Sequence, residues 1–179
     1  MDKESLYTKM VIKGSVMKDS KSVYYDIYSE FYSVNKFREL KSIMHHGDNR
    51  LNHINRVAKM SFIISKKLGY DYISCTRGAM MHDFFTKSDL NKKDTKFKNF
   101  LKEHPNIALK NANKFFDMNA IEEDIITSHM FPITHNKPKY AESKIVCIAD
   151  KLVGIYEFLR YELGFTYVFA YILSVRVLL

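Results

Sequence analysis

Residues 51–85 read LNHINRVAKMSFIISKKLGYDYISCTRGAMMHDFF, and their periodicity decides the fold class. From about Leu51 to Leu68, His53 shares a face with Val57, Met60 and Ile64, at offsets of four, seven and eleven; such offsets align side chains along one side of a 3.6-residue helix. Gly69 stands where a left-handed C-terminal stop belongs. A second helix is expected from about Ser74 to Phe85, carrying the apolar run Gly78-Ala79-Met80-Met81 and then His82-Asp83. Burying an unpaired carboxylate there would be costly. Adjacent helical side chains, about 100° apart, converge only on a point off the helix shoulder. A metal ion is such a point, because neutral imidazole nitrogen and carboxylate oxygen both ligate borderline divalent cations. A plain polar helix end is the competing reading of the pair taken alone.

Upstream, Val23, Ile27, Phe31, Val34, Phe37, Leu40 and Ile43 recur three or four positions apart, which predicts one long amphipathic helix over 22–44. His45-His46-Gly47-Asp48-Asn49 ends it. Downstream, Thr86–Glu103 is polar and lysine-rich and reads as a loop. Pro105 suits the first turn of the next helix, with Ala108, Ala112, Phe115 and Phe116 inward. Asn119 and Glu122 have capping-box spacing, and Pro132 and Pro138 bracket a loop. A last helix is expected over about Glu142–Leu163, with Ile145, Ala149, Leu152, Tyr156 and Leu159 as its inward stripe. The apolar run 163–179 has Arg176 as its only charge and falls short of the roughly 20 residues that span a bilayer. It is expected to be a terminal element packed on the core, not a membrane anchor. With no linker, repeat or sustained period-two alternation, the 179 residues are expected to form one all-α domain.

Lys+Arg number 28 against 20 Asp+Glu, a net charge of +8. The lysines are scattered, without the Arg-rich or aromatic-interleaved runs of nucleic-acid binders. The densest stretch, Lys87 to Lys102, is either a solvated face or an electropositive rim for a phosphorylated substrate. Cys75 and Cys147 form no CxxC pair and lie in apolar patterns, and the opening residues contain no uninterrupted apolar leader. A reducing cytoplasm is therefore expected.

Further imidazoles and carboxylates fall at inward positions. His129 lies four after Ile125, Asp150 lies four after Val146, and His104 stands just before Pro105. Each alone is more often a satisfied core or cap residue than a ligand. Five segments each sending a His or Asp inward match the way bundles build di-metal sites.

The order His53…His82-Asp83…Asp150, within the blocks RGAMMHDFF and ADKLVG, resembles the HD-domain metal-dependent phosphohydrolases over about residues 43–157. EHPNIALKNA and DIITSHMFP resemble the histidine blocks that hold a second metal in HD proteins. The resemblance implies an HD-type helical bundle in which His53, His82, Asp83 and Asp150 ligate one metal and Asp83 bridges to a second held by His104 and His129. It implies hydrolysis of a phosphomonoester or phosphodiester, nucleotide-like, by a hydroxide shared between two divalent ions about 3.5–4 Å apart. Mn, Fe, Co, Ni, Zn and Mg are not distinguished. Asn52 and Ile54 depart from the Glu and Ser that many members carry around the first histidine, which puts the partners of His53 in doubt, not His53 itself. Lys151, Lys87 and Asp89 are candidate catalytic groups, and Arg56, Arg50 and His46 candidate substrate contacts; the competing reading makes the cations surface charges and His46 a helix end. Two other functions stay open: a metal- and nucleotide-binding HD scaffold without hydrolysis, and a basic nucleic-acid-binding helical protein. A homodimer through the apolar tail and the 22–44 helix is a further expectation.

Overall fold

The structure is a computed structural model describing residues 20–45, 47–90 and 96–178. Among these residues it is an all-α bundle in a single domain. Helices α1 (Ser20–Ser33) and α2 (Asn35–Glu39) lead through a 3₁₀ turn (Leu40–Ser42) into a small antiparallel hairpin, β1 (Met44–His45) and β2 (Asp48–Asn49). Helices α3 (Arg50–Leu68) and α4 (Tyr72–Met81) follow, then a 3₁₀ turn (Lys87–Asp89), α5 (Phe97–Phe115), α6 (Ala120–Ser128) and α7 (Ala141–Leu178).

Local chemistry sets several of these boundaries. Extended Asn49 caps α3, its side-chain oxygen accepting the Asn52 N–H at 3.0 Å. Gly69 closes the same helix at φ 75°, in the left-handed region that suits glycine. The Asp71 carboxylate accepts the N–H groups of Ile73 and Ser74 to start α4, and the Asn119–Glu122 capping box starts α6. Helix α3 packs on α4 and α7, and α6 packs on both α4 and α7, which also touch each other. Phe31, Phe37, Phe84, Ile54, Met80, Ile125 and Ile126 are fully buried at the centre. Gly78 is where α4 and α6 nearly touch: a Cβ there would lie 2.5 Å from Ile125 Cδ1.

Several local expectations need correction: the helix expected to reach Phe85 stops at Met81, and the last, expected to end near Leu163, runs on to Leu178. The helix expected over 22–44 breaks at Val34, which is extended (φ −82°, ψ 123°). The break lets Phe31 and Phe37, on either side, pack 5.5 Å apart. Pro105 lies inside α5, not in its first turn, because the helix begins at Phe97. Phe115 is 44% exposed, and Phe116 is the one packed against the core. On α7, Ile145 and Ala149 are buried, but Leu152, Tyr156 and Leu159 face outward; the inward stripe is Val146, Ala149, Val153 and Glu157. Within the described residues no helix is long and apolar enough to cross a membrane. The expectation that 163–179 packs on the core falls on side chains that, beyond Gly164, lie outside the described ones.

Candidate metal centre

Histidine 53 comes from α3, His82 and Asp83 from the turn that closes α4, His104 from α5, His129 from the end of α6 and Asp150 from α7. They gather as two triplets, His53/His82/Asp150 and Asp83/His104/His129, and within each the ligand-capable atoms all lie within 4.8 Å of one another. The triplets adjoin: the His82 ring centroid is 5.6 Å from that of His53 and 5.1 Å from that of His129. The structure thus brings together all six residues singled out as ligands.

Backbone carbonyls one turn back hold three of the imidazoles in one tautomer. His82 Nδ1 lies 2.7 Å from the Ala79 carbonyl, His104 Nδ1 2.8 Å from that of Phe100, and His129 Nδ1 2.7 Å from that of Ile126. A carbonyl only accepts, so each Nδ1 carries the proton, and a neutral ring then presents a bare lone pair at Nε2. Burial lowers the pKa of His104 despite the nearby Asp83 carboxylate. Burial, with His104 and His82 adding repulsion, takes His129 down to about 3. Both rings are therefore neutral near pH 7, yet their Nε2 atoms stand 3.0 Å apart. Two lone pairs at that distance repel. Asp83 Oδ1 lies 3.5 Å from one and 3.8 Å from the other. His82 Nε2 is likewise buried without a hydrogen-bond partner, 3.5 Å from Asp150 Oδ1. Nitrogen lone pairs and carboxylate oxygens turned toward one another, backed by Nδ1–carbonyl bonds, form a donor set that could hold a divalent metal ion.

His53 is held differently. Its Nε2 lies 3.0 Å from Asp150 Oδ1 and its Nδ1 2.8 Å from Glu157 Oε2. Burial would lower its pKa, but the hydrogen bonds to Asp150 and Glu157 outweigh that and hold it up to about 9. Burial opposes ionisation of Asp150 too, and is overcome by His53 and His82, leaving the carboxyl well below its usual range. Glu157 escaped the sequence reading. It lies seven residues after Asp150, two turns along the same helix face, and that spacing was the available signal. Arg56 donates to Glu157 Oε1 at 2.6 Å and to Asp48 Oδ2 at 2.5 Å. Its guanidinium fixes the carboxylate that orients His53.

The remaining candidates are placed as follows. Arg50 is buried, its guanidinium 3.8 Å over the Phe85 ring and Nη1 donating to the Phe85 carbonyl at 2.7 Å. Its Nε, without a hydrogen-bond partner, lies 3.9 Å from Asp83 Oδ2. Arg50 is therefore part of the wall of the candidate metal centre. Lys151 Nζ donates to the carbonyls of His129 and Cys147 at 2.9 and 3.1 Å, fastening α7 to the end of α6. Asp89 accepts from Lys36 at 2.6 Å and from Thr86, closing the 3₁₀ turn on which Lys87 is exposed. His46 lies outside the described residues.

Comparison of the chain with protein-family models, curated proteins and solved structures finds no match.

Proposed function

We propose that this chain is an HD-type metal-dependent phosphohydrolase that cleaves a phosphomonoester or phosphodiester of a small, nucleotide-like substrate. The supporting observation is the pair of neutral His104 and His129 Nε2 atoms 3.0 Å apart beside Asp83, next to a second His/His/Asp triplet. His53, His82 and Asp150 would hold one divalent ion, and Asp83, His104 and His129 the other. Such ions supply Lewis-acid polarisation of phosphoryl oxygens and an ionised water. The protein's part is to fix the donors. Backbone carbonyls set the tautomers of His82, His104 and His129, and Glu157 steadies His53. Arg50 keeps a positive charge beside Asp83. Burial pushes the Cys75 thiol up to about 12, which leaves it a poor nucleophile and supports a mechanism without a covalent intermediate. The net charge of +8 favours an anionic substrate. Free, buried Cys75 and Cys147 support a reducing compartment, the cytoplasm.

Elemental analysis of the purified protein, followed by a phosphate-release screen across nucleotides and sugar phosphates, tests the reading. The expected result is up to two divalent ions per chain, drawn from Mn, Fe, Co, Ni, Zn or Mg, and turnover that a chelator removes. Turnover unaffected by complete metal removal would refute it. Bound metal and nucleotide with no product would instead support the non-hydrolysing scaffold.

A further inference from the structure

We infer that the outer face of α7 is an interface with a second copy of this chain. Beyond Val153, Glu157 is the only buried side chain among those described on α7, although the helix runs on to Leu178. Tyr161 rests on Gly47 of the hairpin, but a helix of that kind otherwise has little to hold it in water, where helical stability comes mainly from packing one face. Its outward side is apolar. Ile148, Leu152, Ile155 and Leu159 recur at steps of four, three and four, each between 49% and 57% exposed. Tyr156, Phe158 and Leu163, also about half exposed, flank them.

Two features favour a second copy as the occupant. Alternating steps of three and four make the 3.5-residue seam along which two helices interdigitate, and such a seam pairs with itself around a two-fold axis. The seven side chains leave on the order of 100 Å² each open, so each copy would contribute close to the roughly 800 Å² per partner of a standard stable interface. Glu157 lies on the inner side of the same stretch, so pairing the outer face would also steady the carboxylate that orients His53. The inference is independent of whether the chain hydrolyses phosphate esters.

Sedimentation velocity of the full chain, at about 1 to 100 µM, tests it. The expected species has twice the 21.1 kDa chain mass. Leu152→Glu with Leu159→Glu should weaken association at least about a hundredfold while circular dichroism keeps its helical signal. If that pair misfolds, Leu152→Gln with Leu159→Gln should still shift the equilibrium toward monomer. Ile63→Glu, on the 55% exposed position of α3, should leave the dimer intact. A monomeric wild type overturns the inference, including one that co-floats with anionic phosphatidylglycerol vesicles and so uses the face for lipid. So does a dimer indifferent to both pairs.

Discussion

Around His53 both ring nitrogens have carboxylate partners, Asp150 at 3.0 Å and Glu157 at 2.8 Å, and the ring keeps its proton up to about pH 9. Around His104 and His129 the corresponding nitrogens face each other at 3.0 Å, and burial holds both rings below the ordinary imidazole range, His129 to about 3. The first triplet satisfies itself with a proton, which must leave before His53 Nε2 can ligate an ion. In the second, His104 and His129 keep only their Nδ1 protons, present bare Nε2 lone pairs and would gain directly from a cation. Two clusters of nearly the same composition thus differ in what binding demands of them, because one borrows charge from Glu157, Arg56 and Asp48 while the other is lined by Phe85 and Phe100.

The largest expected effect is that of Asp83→Ala. It removes the carboxylate of the second triplet and leaves Arg50 beside it uncompensated. Metal content should drop and hydrolysis fall by at least about a thousandfold, the scale of several kcal/mol of lost charge stabilisation; elemental analysis and initial rates measure both. Unchanged turnover with metal still bound would remove the second triplet from the chemistry. Glu157→Gln sharpens the contrast from the other side. Loss of an anion that supports a ligating histidine should weaken metal at the His53 triplet about 10- to 100-fold, in calorimetric titration, and leave the His104/His129 triplet unaffected.

The order of loading comes next. Because the His53 proton is displaced on binding, affinity at its triplet should rise up to about tenfold per pH unit between 6.5 and 9, while the second triplet, whose imidazoles are both lowered from their ordinary range, should change less over that span. An equal rise at both would erase the distinction drawn between them. The metal-free protein should also show a dome of stability against pH. His129, lowered from 6.5 to about 3, favours the fold fully above 6.5, and that contribution is lost as pH falls toward 3. His53, raised from 6.5 to about 9, favours the fold fully below 6.5, and its contribution of on the order of 3 kcal/mol is lost as pH rises through 9. Thermal melts in a chelator should therefore peak near pH 6.5, and added metal should move the peak to higher pH. The smallest effect on rate is expected from Lys151→Met, whose ammonium is engaged by carbonyls. Turnover should stay within about threefold, while urea melts report a loss of about 1–3 kcal/mol.

Much of the bundle was legible because its signals are local. Gly69, Asn119 and Glu122 act through their own backbone neighbourhood, and His53 declares its face through Val57 and Ile64. The start of α5 was obscured because lysines crowd the segment before Pro105; Lys102, Asn106 and Lys110 turn out to be its exposed side, with His104 and Ala108 inward. The last helix misled in a more instructive way. Hydrophobic periodicity assumes that the apolar stripe faces the core, whereas α7 turns Asp150 and Glu157 toward the site and Leu152, Tyr156 and Leu159 away from it. Carboxylates turned inward and an exposed apolar face outward on one helix invert the usual pattern. Glu157 stayed hidden for the same reason, since its partner His53 is 104 positions away.

Gly78 lies one turn before His82, and Ile125, against which it presses, lies one turn before His129. The two helices therefore meet just above the ends from which both imidazoles project. At that pivot, the lack of a single methyl group governs how far apart the arms stand. An alanine there would act like a shim in a caliper, and the gap it widens is the one between the two triplets.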